Sequence, residues 1–270
     1  MEALPGVLVY GTAWKEDRTA ACVTQALAAG FRAIDTANQR KHYHEAGVGE
    51  AVVPWLATGR RGELWLQTKF TYVDGQDARL PYDKDAAIAL QVLQSCASSL
   101  AHLGVDWLDS LLLHGPSRGD RLGRDDHEAW RAMEALVDDG KVSAIGISNV
   151  NARQIDELAA FARVAPTYVQ NRCYAQRGWD ADVRAACARH GVAYQGFSLL
   201  TANRAVVASA AVAAIAARRG ITPAQVVLRF AQQRGMIALS GTTDAHHARD
   251  DVALATFALD DAELAAVAKA

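Results

Sequence analysis

Short apolar runs that end on a polar or ionisable residue alternate along this chain with longer stretches whose apolar positions fall three and four apart. The short runs read as buried strands and the longer stretches as helices with one face turned inward. The predicted strands are Val7–Gly11, Phe31–Asp35, Leu64–Thr68, Asp109–Leu113, Val142–Ile147, Thr167–Gln170, Val192–Phe197 and Met236–Ser240. Helices are predicted over Thr19–Ala29, Ala46–Ala57, Asp85–Leu103, Asp126–Asp139 and Asp180–His190, from Thr222 to Gly235, and onward from Asn151 and from Asp260. Asn151 with Gln154, Thr222 with Gln225, and Asp260 with Glu263 have the spacing of capping boxes, and Pro223 stands at a first helical position. The Ala-rich stretch Ala205–Arg219 reads as a further helix.

Each strand is followed by helical sequence across a short connection, which means parallel strands covered by helices. Eight such units of ~30 residues fit a (β/α)8 TIM barrel with its active site at the C-terminal strand ends. An open doubly wound sheet is the alternative, but it needs a Gly-rich phosphate turn after an early strand, and the chain has no GxGxxG. No Pro/Ser-rich linker divides the 270 residues, so one barrel domain over 1–270 is expected.

Composition narrows the class. With 51% apolar and 21% charged residues the chain is an ordinary globular protein with material for a large core. A net charge of −2 with scattered basic residues argues against nucleic-acid and membrane-surface partners. The N-terminus lacks a basic segment leading into an apolar one, and Ala205–Ala217 is too short to span a bilayer, so a cytoplasmic protein is expected, as a monomer or weak oligomer. Cys22, Cys96, Cys173 and Cys187 form no CxxC pair; reduced, packed thiols are expected, with Cys173 packing or lining the cleft. His42 with His44, and His246 with His247, lack metal-ligand spacing and read as solvated loop residues, so no metal is expected.

The residues just past the strands then become the candidates for chemistry: Thr12, Trp14, Asp35, Tyr43, Lys69, His114, Ser148, Asn149, Gln170, Asn171, Phe197, Ser198 and Ser240. Any one of Asp35, Lys69 or His114 could simply mark where a strand meets solvent; together with Tyr43 at one barrel mouth they suggest a site. A free phenol has a pKa of ~10, and a nearby ammonium lowering it by ~2 units would need ~2.7 kcal/mol of differential interaction. Asp35 would hold Lys69 charged, and a neutral His114 would orient a carbonyl. Such a site protonates a carbonyl oxygen as hydride reaches carbon, and no side chain donates hydride, so a nicotinamide cofactor is implied.

Several motifs recur in register: Gly11-Thr12-Ala13-Trp14, Ile34-Asp35-Thr36-Ala37 through Tyr43 to Val48-Gly49, Thr68-Lys69, Leu112-Leu113-His114, Gly146-Ile147-Ser148-Asn149, Gln170-Asn171 and Gly241-Thr242-Thr243. With these the chain resembles the aldo-keto reductase family over nearly its whole length. The resemblance implies NAD(P)H-dependent reduction of a small aldehyde or ketone, with Tyr43 as general acid/base, Lys69 and Asp35 as its tuning pair, and His114 orienting the carbonyl. It implies Ser148, Asn149 and Gln170 at the nicotinamide carboxamide and Phe197 stacked on its ring. Ser198, Leu199 and Leu200 would follow the pyrophosphate, and Ser240, Gly241, Thr242, Thr243, His247 and Asp251 the adenosine-phosphate end. Gly11, Thr12 and Asp35 join the cofactor set, and Trp14, Tyr72, His114 and Pro116 the substrate pocket. The alternative is a cofactor-binding sensor or regulatory barrel with little turnover.

Three departures stand out. The family's tyrosine falls where this chain has Arg40, and Tyr43 comes three places later, with His42 and His44 as alternative donors. Where NADPH-dependent members carry Lys-Ser after the last strand, this chain reads Leu239-Ser240, with His246, His247 and Arg249 beyond; NADP(H) is expected and NAD(H) is the alternative. The sequence ends soon after the Asp260 helix, which suggests an open pocket.

Overall fold

In the computed structural model, which describes residues 8–270, the alternation closes on itself. The strands are β1 Leu8–Gly11, β2 Ala33–Asp35, β3 Trp65–Phe70, β4 Leu108–Leu113, β5 Val142–Ser148, β6 Tyr168–Arg172, β7 Ala193–Phe197 and β8 Ile237–Ser240. Each pairs in parallel with the next, and β1 pairs with β8, giving a closed eight-stranded barrel. Around it lie α1 Thr19–Ala29, α2 Glu45–Leu56, α3 Ile88–Leu103, α4 Arg124–Asp138, α5 Ala152–Phe161, α6 Ala181–Arg189, α7 Arg204–Val207, α8 Ala210–Arg219, α9 Pro223–Gln233, α10 Ala245–Val252 and α11 Asp261–Lys269. The three predicted capping boxes form, at the starts of α5, α9 and α11. Val7, the predicted first residue of the first strand, lies outside the described residues.

The period of two along each strand divides the core into two layers. Outward residues such as Tyr10, Ile34, Leu66, Leu111, Ile145 and Val169 pack under the helices. Val9, Ala33, Leu112, Ala144, Tyr168, Ile237 and Leu239 fill the interior as a separate cluster. At the end opposite the strand C-termini, the Trp65 and Tyr168 rings meet edge to face with centroids 5.5 Å apart.

Several boundaries differ from expectation, and the differences matter for the site. β3 runs on to Phe70, so Lys69 lies within the strand and points into the barrel rather than beyond a strand end. β2 begins at Ala33 rather than Phe31. α3 begins at Ile88, not Asp85, because the Asp85 amide donates to Asp83 Oδ1 in a turn. The stretch Ala205–Arg219 is two helices, since Ser209 leaves helical geometry and its hydroxyl accepts from the Val212 amide to cap α8. His246 and His247 sit in the first turn of α10, not in a loop, with Asp244 capping them. All four cysteines are free and buried. Among the described residues no helix is long and apolar enough to cross a membrane.

Candidate active site

The inward positions near the mouth carry polar groups instead of the apolar filling below. Lys69, fully buried, directs its three N–H bonds to Asp35 Oδ1 at 2.7 Å, Asp35 Oδ2 at 2.7 Å and the Thr36 carbonyl at 2.8 Å. Asp35 Oδ1 also accepts from Gln67 Nε2 at 2.7 Å and Gln170 Nε2 at 2.9 Å. Gln195 Oε1 accepts from the same two amides at 2.8 and 2.9 Å, and Gln195 Nε2 and the Ser110 hydroxyl donate to Gln67 Oε1. The result is a buried pair of charges on a floor of glutamine amides, with each group held from several strands. Burial pushes the Lys69 pKa down, and the Asp35 carboxylate opposes that push.

His114 follows β4 directly, and its amide donates to the Phe70 carbonyl at 2.9 Å. Its ring is pushed down to about 3 by burial, with the Lys69 ammonium and His42 adding to the shift, so it is neutral at physiological pH. Nδ1 lies 2.6 Å from the Thr71 hydroxyl, and the His114 carbonyl accepts from Asn149 Nδ2 at 2.8 Å.

Tyr43 reaches the same place by a coiled loop. The Gln39 carbonyl accepts from the His42 amide at 3.2 Å and the Tyr43 amide at 3.0 Å, so the residues after Gln39 wind into one helical turn. The extra length is taken up as a turn, and α2 still begins at Glu45. The Tyr43 ring meets the His114 ring edge to face, centroids 5.9 Å apart, and lies 5.2 Å from Lys69 Nζ. One expectation is corrected here: the phenol is pushed up, not down, by burial and by the Asp35 carboxylate. The ammonium has all three protons committed elsewhere and faces the ring rather than donating to the hydroxyl.

The two neighbouring histidines are placed differently. Gln39 Nε2 donates to the Gly75 carbonyl at 2.6 Å, which turns Gln39 Oε1 toward His42 Nδ1 at 2.9 Å. His42 Nδ1 therefore carries the proton and Nε2 of the neutral ring only accepts. His44 Nδ1 faces the Glu16 carbonyl at 3.3 Å.

The remaining predicted residues surround the mouth unevenly. The Ser148 hydroxyl donates to the Gln170 carbonyl at 2.6 Å and accepts from Asn149 Nδ2 at 3.1 Å. Both N–H bonds of Gln170 point to the floor, which leaves its Oε1 as the free acceptor. Phe197 ends β7 on an inward position. Ser198 takes φ 56°, and after it the amides of Leu199, Leu200 and Thr201 form no hydrogen bond among the described residues. The Leu199 side chain is buried in the outer core, so only its backbone can face a ligand. Thr12 commits its hydroxyl to the Asp35 carbonyl at 3.0 Å, and Gly11 ends β1 beside it. Ser240 donates at 2.5 Å to Asp251, whose carboxyl is pushed up to about 6 by burial. Thr242, Thr243, Gly241 and His247 line the start of α10 at the surface.

The model of the Aldo/keto reductase family matches residues 7–270. The chain belongs to the aldo/keto reductase family. It is 30% identical over 255 residues to human aldo-keto reductase family 1 member A1, covering 84% of this chain and 74% of that protein. It is 28% identical over 239 residues to the uncharacterized oxidoreductase YtbE of Bacillus subtilis, covering 88% of this chain and 78% of that one. The aldose reductase structure of Schistosoma japonicum superposes with a TM-score of 0.83 at 26% identity, covering 97% of this chain and 87% of that one. A Bombyx mori aldo-keto reductase, 24% identical, shares the fold with a TM-score of 0.81, covering 97% of this chain and 88% of that one.

Aldo/keto reductases are oxidoreductases that use nicotinamide cofactors, and the mouth of this barrel suits one. The free amides after Ser198 and the free Gln170 Oε1 offer donors and an acceptor at the barrel mouth. Sequence reasoning missed Lys15, a buried ammonium whose Nζ donates to the Gly241 carbonyl at 2.8 Å and lies 5.0 Å from the Tyr10 ring centroid. Among the described residues no carboxylate pairs with it, and burial pushes it down to about 8. It also missed Gln67, Gln195 and Thr71; the signal for the glutamines was a polar residue at an inward position of an apolar strand.

Of the predicted pocket residues, Trp14 is 68% exposed and packs in a tilted arrangement on the His42 ring, centroids 4.1 Å apart, so it stands at the rim. Its amide donates to the His42 carbonyl at 2.8 Å, tying the first loop to the Tyr43 loop. The Tyr72 hydroxyl donates to Asp126 Oδ1 at 2.9 Å and its ring meets Phe70 edge to face, while Pro116 lies half-buried in the loop after β4. Cys173 is buried, its thiol pushed up to about 12, and it packs rather than lining the cleft. A cleft of about 350 Å³ opens on the outer side of Tyr43, lined also by Gln39, Arg40, Arg79 and His102. Among the described residues no three His, Cys, Asp or Glu side chains gather as a metal site.

Proposed function

We propose that this chain is an NAD(P)H-dependent carbonyl reductase that converts a small aldehyde or ketone to an alcohol, with Tyr43 as proton donor. The carrying observation is the convergence of Tyr43, Lys69 and His114 above Asp35, from three consecutive βα units, despite the lengthened loop. A reduced nicotinamide, when bound, would supply hydride to the carbonyl carbon. The carbonyl oxygen is oriented by neutral His114, and as negative charge grows on it the Tyr43 phenol gives up its proton. A raised phenol pKa is compatible with this step, since an alkoxide is a stronger base than a phenolate. The ammonium 5.2 Å from the ring centroid stabilises the phenolate left behind, and Asp35 holds that ammonium in place. His42 is not the donor, because its neutral ring offers only a lone pair at Nε2.

Ser148, Asn149 and Gln170 would hold the carboxamide, Phe197 the ring, and the backbone after Ser198 the pyrophosphate. NADPH is the preferred cofactor in this reading and NADH the alternative. The Bombyx mori neighbour was solved in complex with NADP, and Lys15 provides unpaired positive charge beside Gly241, where Leu239 replaces a lysine. Four buried free thiols fit a reducing compartment, and we place the enzyme in the cytoplasm as a single barrel domain acting as a monomer or weak oligomer. Nothing at the site favours a sensor without turnover. The test follows NADPH and NADH oxidation with a panel of small aldehydes and ketones. Wild type should turn over, and Tyr43→Phe should lose about 10²–10⁴ of kcat, the usual weight of a general acid. No turnover of any carbonyl overturns the reductase, and full activity in Tyr43→Phe overturns the proton donor.

A further inference from the structure

Among the described residues the Thr71 hydroxyl has one hydrogen-bond partner, His114 Nδ1 at 2.6 Å. Thr71 is buried, and its place is fixed on every side. Its carbonyl accepts from the Tyr82 hydroxyl at 2.6 Å and from Gln76 Nε2 at 3.4 Å. Its methyl is seated on Gly75, where an added Cβ would lie 2.6 Å from Thr71 Cγ2. With methyl and backbone held, the hydroxyl is left facing the imidazole. His114 and Thr71 are brought together because the ends of β3 and β4 are adjacent, the His114 amide donating to the Phe70 carbonyl at 2.9 Å.

A neutral imidazole has one N–H and one lone pair. Were Nδ1 to carry the proton and donate to Thr71, the buried hydroxyl would have no acceptor for its own hydrogen, which costs free energy. Donation from Thr71 Oγ1 into the Nδ1 lone pair satisfies both groups. The ring proton must then sit on Nε2, which has no partner among the described residues. We infer that Thr71 is the positioning residue that fixes His114 in its Nε2–H tautomer, so that the imidazole presents an N–H donor to the substrate oxygen.

This rests on the proposed reduction for its consequence, but the tautomer is measurable without turnover. Long-range proton–nitrogen correlation spectra of the imidazoles, with His114→Gln identifying the signals, should show His114 protonated at Nε2 and bare at Nδ1 in wild type and in Thr71→Ser. Thr71→Val should show a mixture of tautomers. In kinetics Thr71→Val should lower kcat about tenfold, the weight of one hydrogen bond, while the Kd for NADPH, from fluorescence quenching, stays unchanged. Thr71→Ser should restore kcat. Protonation of Nδ1 in wild type overturns the inference, as does a Thr71→Val enzyme with the wild-type spectrum and kcat. A protein inert toward every carbonyl but carrying Nε2–H would overturn the reductase and leave the tautomer assignment standing. If Thr71→Val fails to fold, the wild-type and Thr71→Ser spectra still decide.

Discussion

The floor and the wall of this mouth are built in opposite ways. On the floor, Lys69 uses every ammonium proton, and Asp35 receives bonds from β3 and β6 as well as from Lys69. On the wall, Tyr43 sits on a loop, and its hydroxyl forms no hydrogen bond among the described residues. Its position is set by one turn closed on the Gln39 carbonyl and by the tie between Trp14 and His42. The difference separates two tasks. A buried charge must be fixed from several sides or it destabilises the fold, whereas a proton donor needs a free hydroxyl and a correct address.

Breaking the floor should have the larger effect. Lys69→Met leaves the Asp35 carboxylate buried without its cation, so unfolding by denaturant should show a loss of about 3–5 kcal/mol along with the activity. Adding Asp35→Asn should restore much of that stability and none of the turnover; a double variant as unstable as the single one would mean the pair is not the source.

His114, between floor and wall, gives an intermediate effect that depends on pH. Its pKa falls from the ordinary 6.5 to about 3 in the folded state, so below 6.5 the unfolded chain binds a proton that the folded chain refuses. That stability is present above pH 6.5 and is lost as pH falls toward 3, at roughly 1 kcal/mol per pH unit. Thermal unfolding of His114→Gln should therefore decline less than wild type between about pH 7 and pH 4, with parallel curves counting against a neutral buried ring. The smallest effect sharpens the contrast from the wall side. Tyr43→Phe, so costly to kcat, should change stability by no more than about 0.5 kcal/mol, because the lost hydroxyl holds nothing; a larger loss would mean the phenol has a structural partner.

The sequence made the barrel legible because its signals agree with one another. Strand runs, capping boxes and short connections all point to the same alternation, and the capped starts of α5, α9 and α11 stand where expected. Asp35, Lys69 and His114 were readable as ionisable residues at or near strand ends. What local pattern could not carry was pairing at a distance. Gln67 and Gln195 are 128 positions apart, and only closure of the barrel makes them neighbours. Lys15 finds the Gly241 carbonyl across the β1–β8 junction in the same way. The direction of the Tyr43 shift was misjudged because it is set by burial of the phenol and by the nearby Asp35 carboxylate, and residue types do not tell how deeply a loop side chain is buried. Ser209 split a long Ala-rich pattern because one capping hydroxyl outweighs the weak periodicity around it.

The turn on the Gln39 carbonyl has a consequence for how this loop can vary. A helical turn repeats every 3.6 residues, so a segment lengthened by three or four returns its next side chain to nearly the same side, advanced by about one pitch. Insertions of one or two residues would instead rotate the phenol away from His114. Loop length here is therefore quantised: whole turns can be exchanged as cassettes between barrels of this kind, and fractional ones cannot.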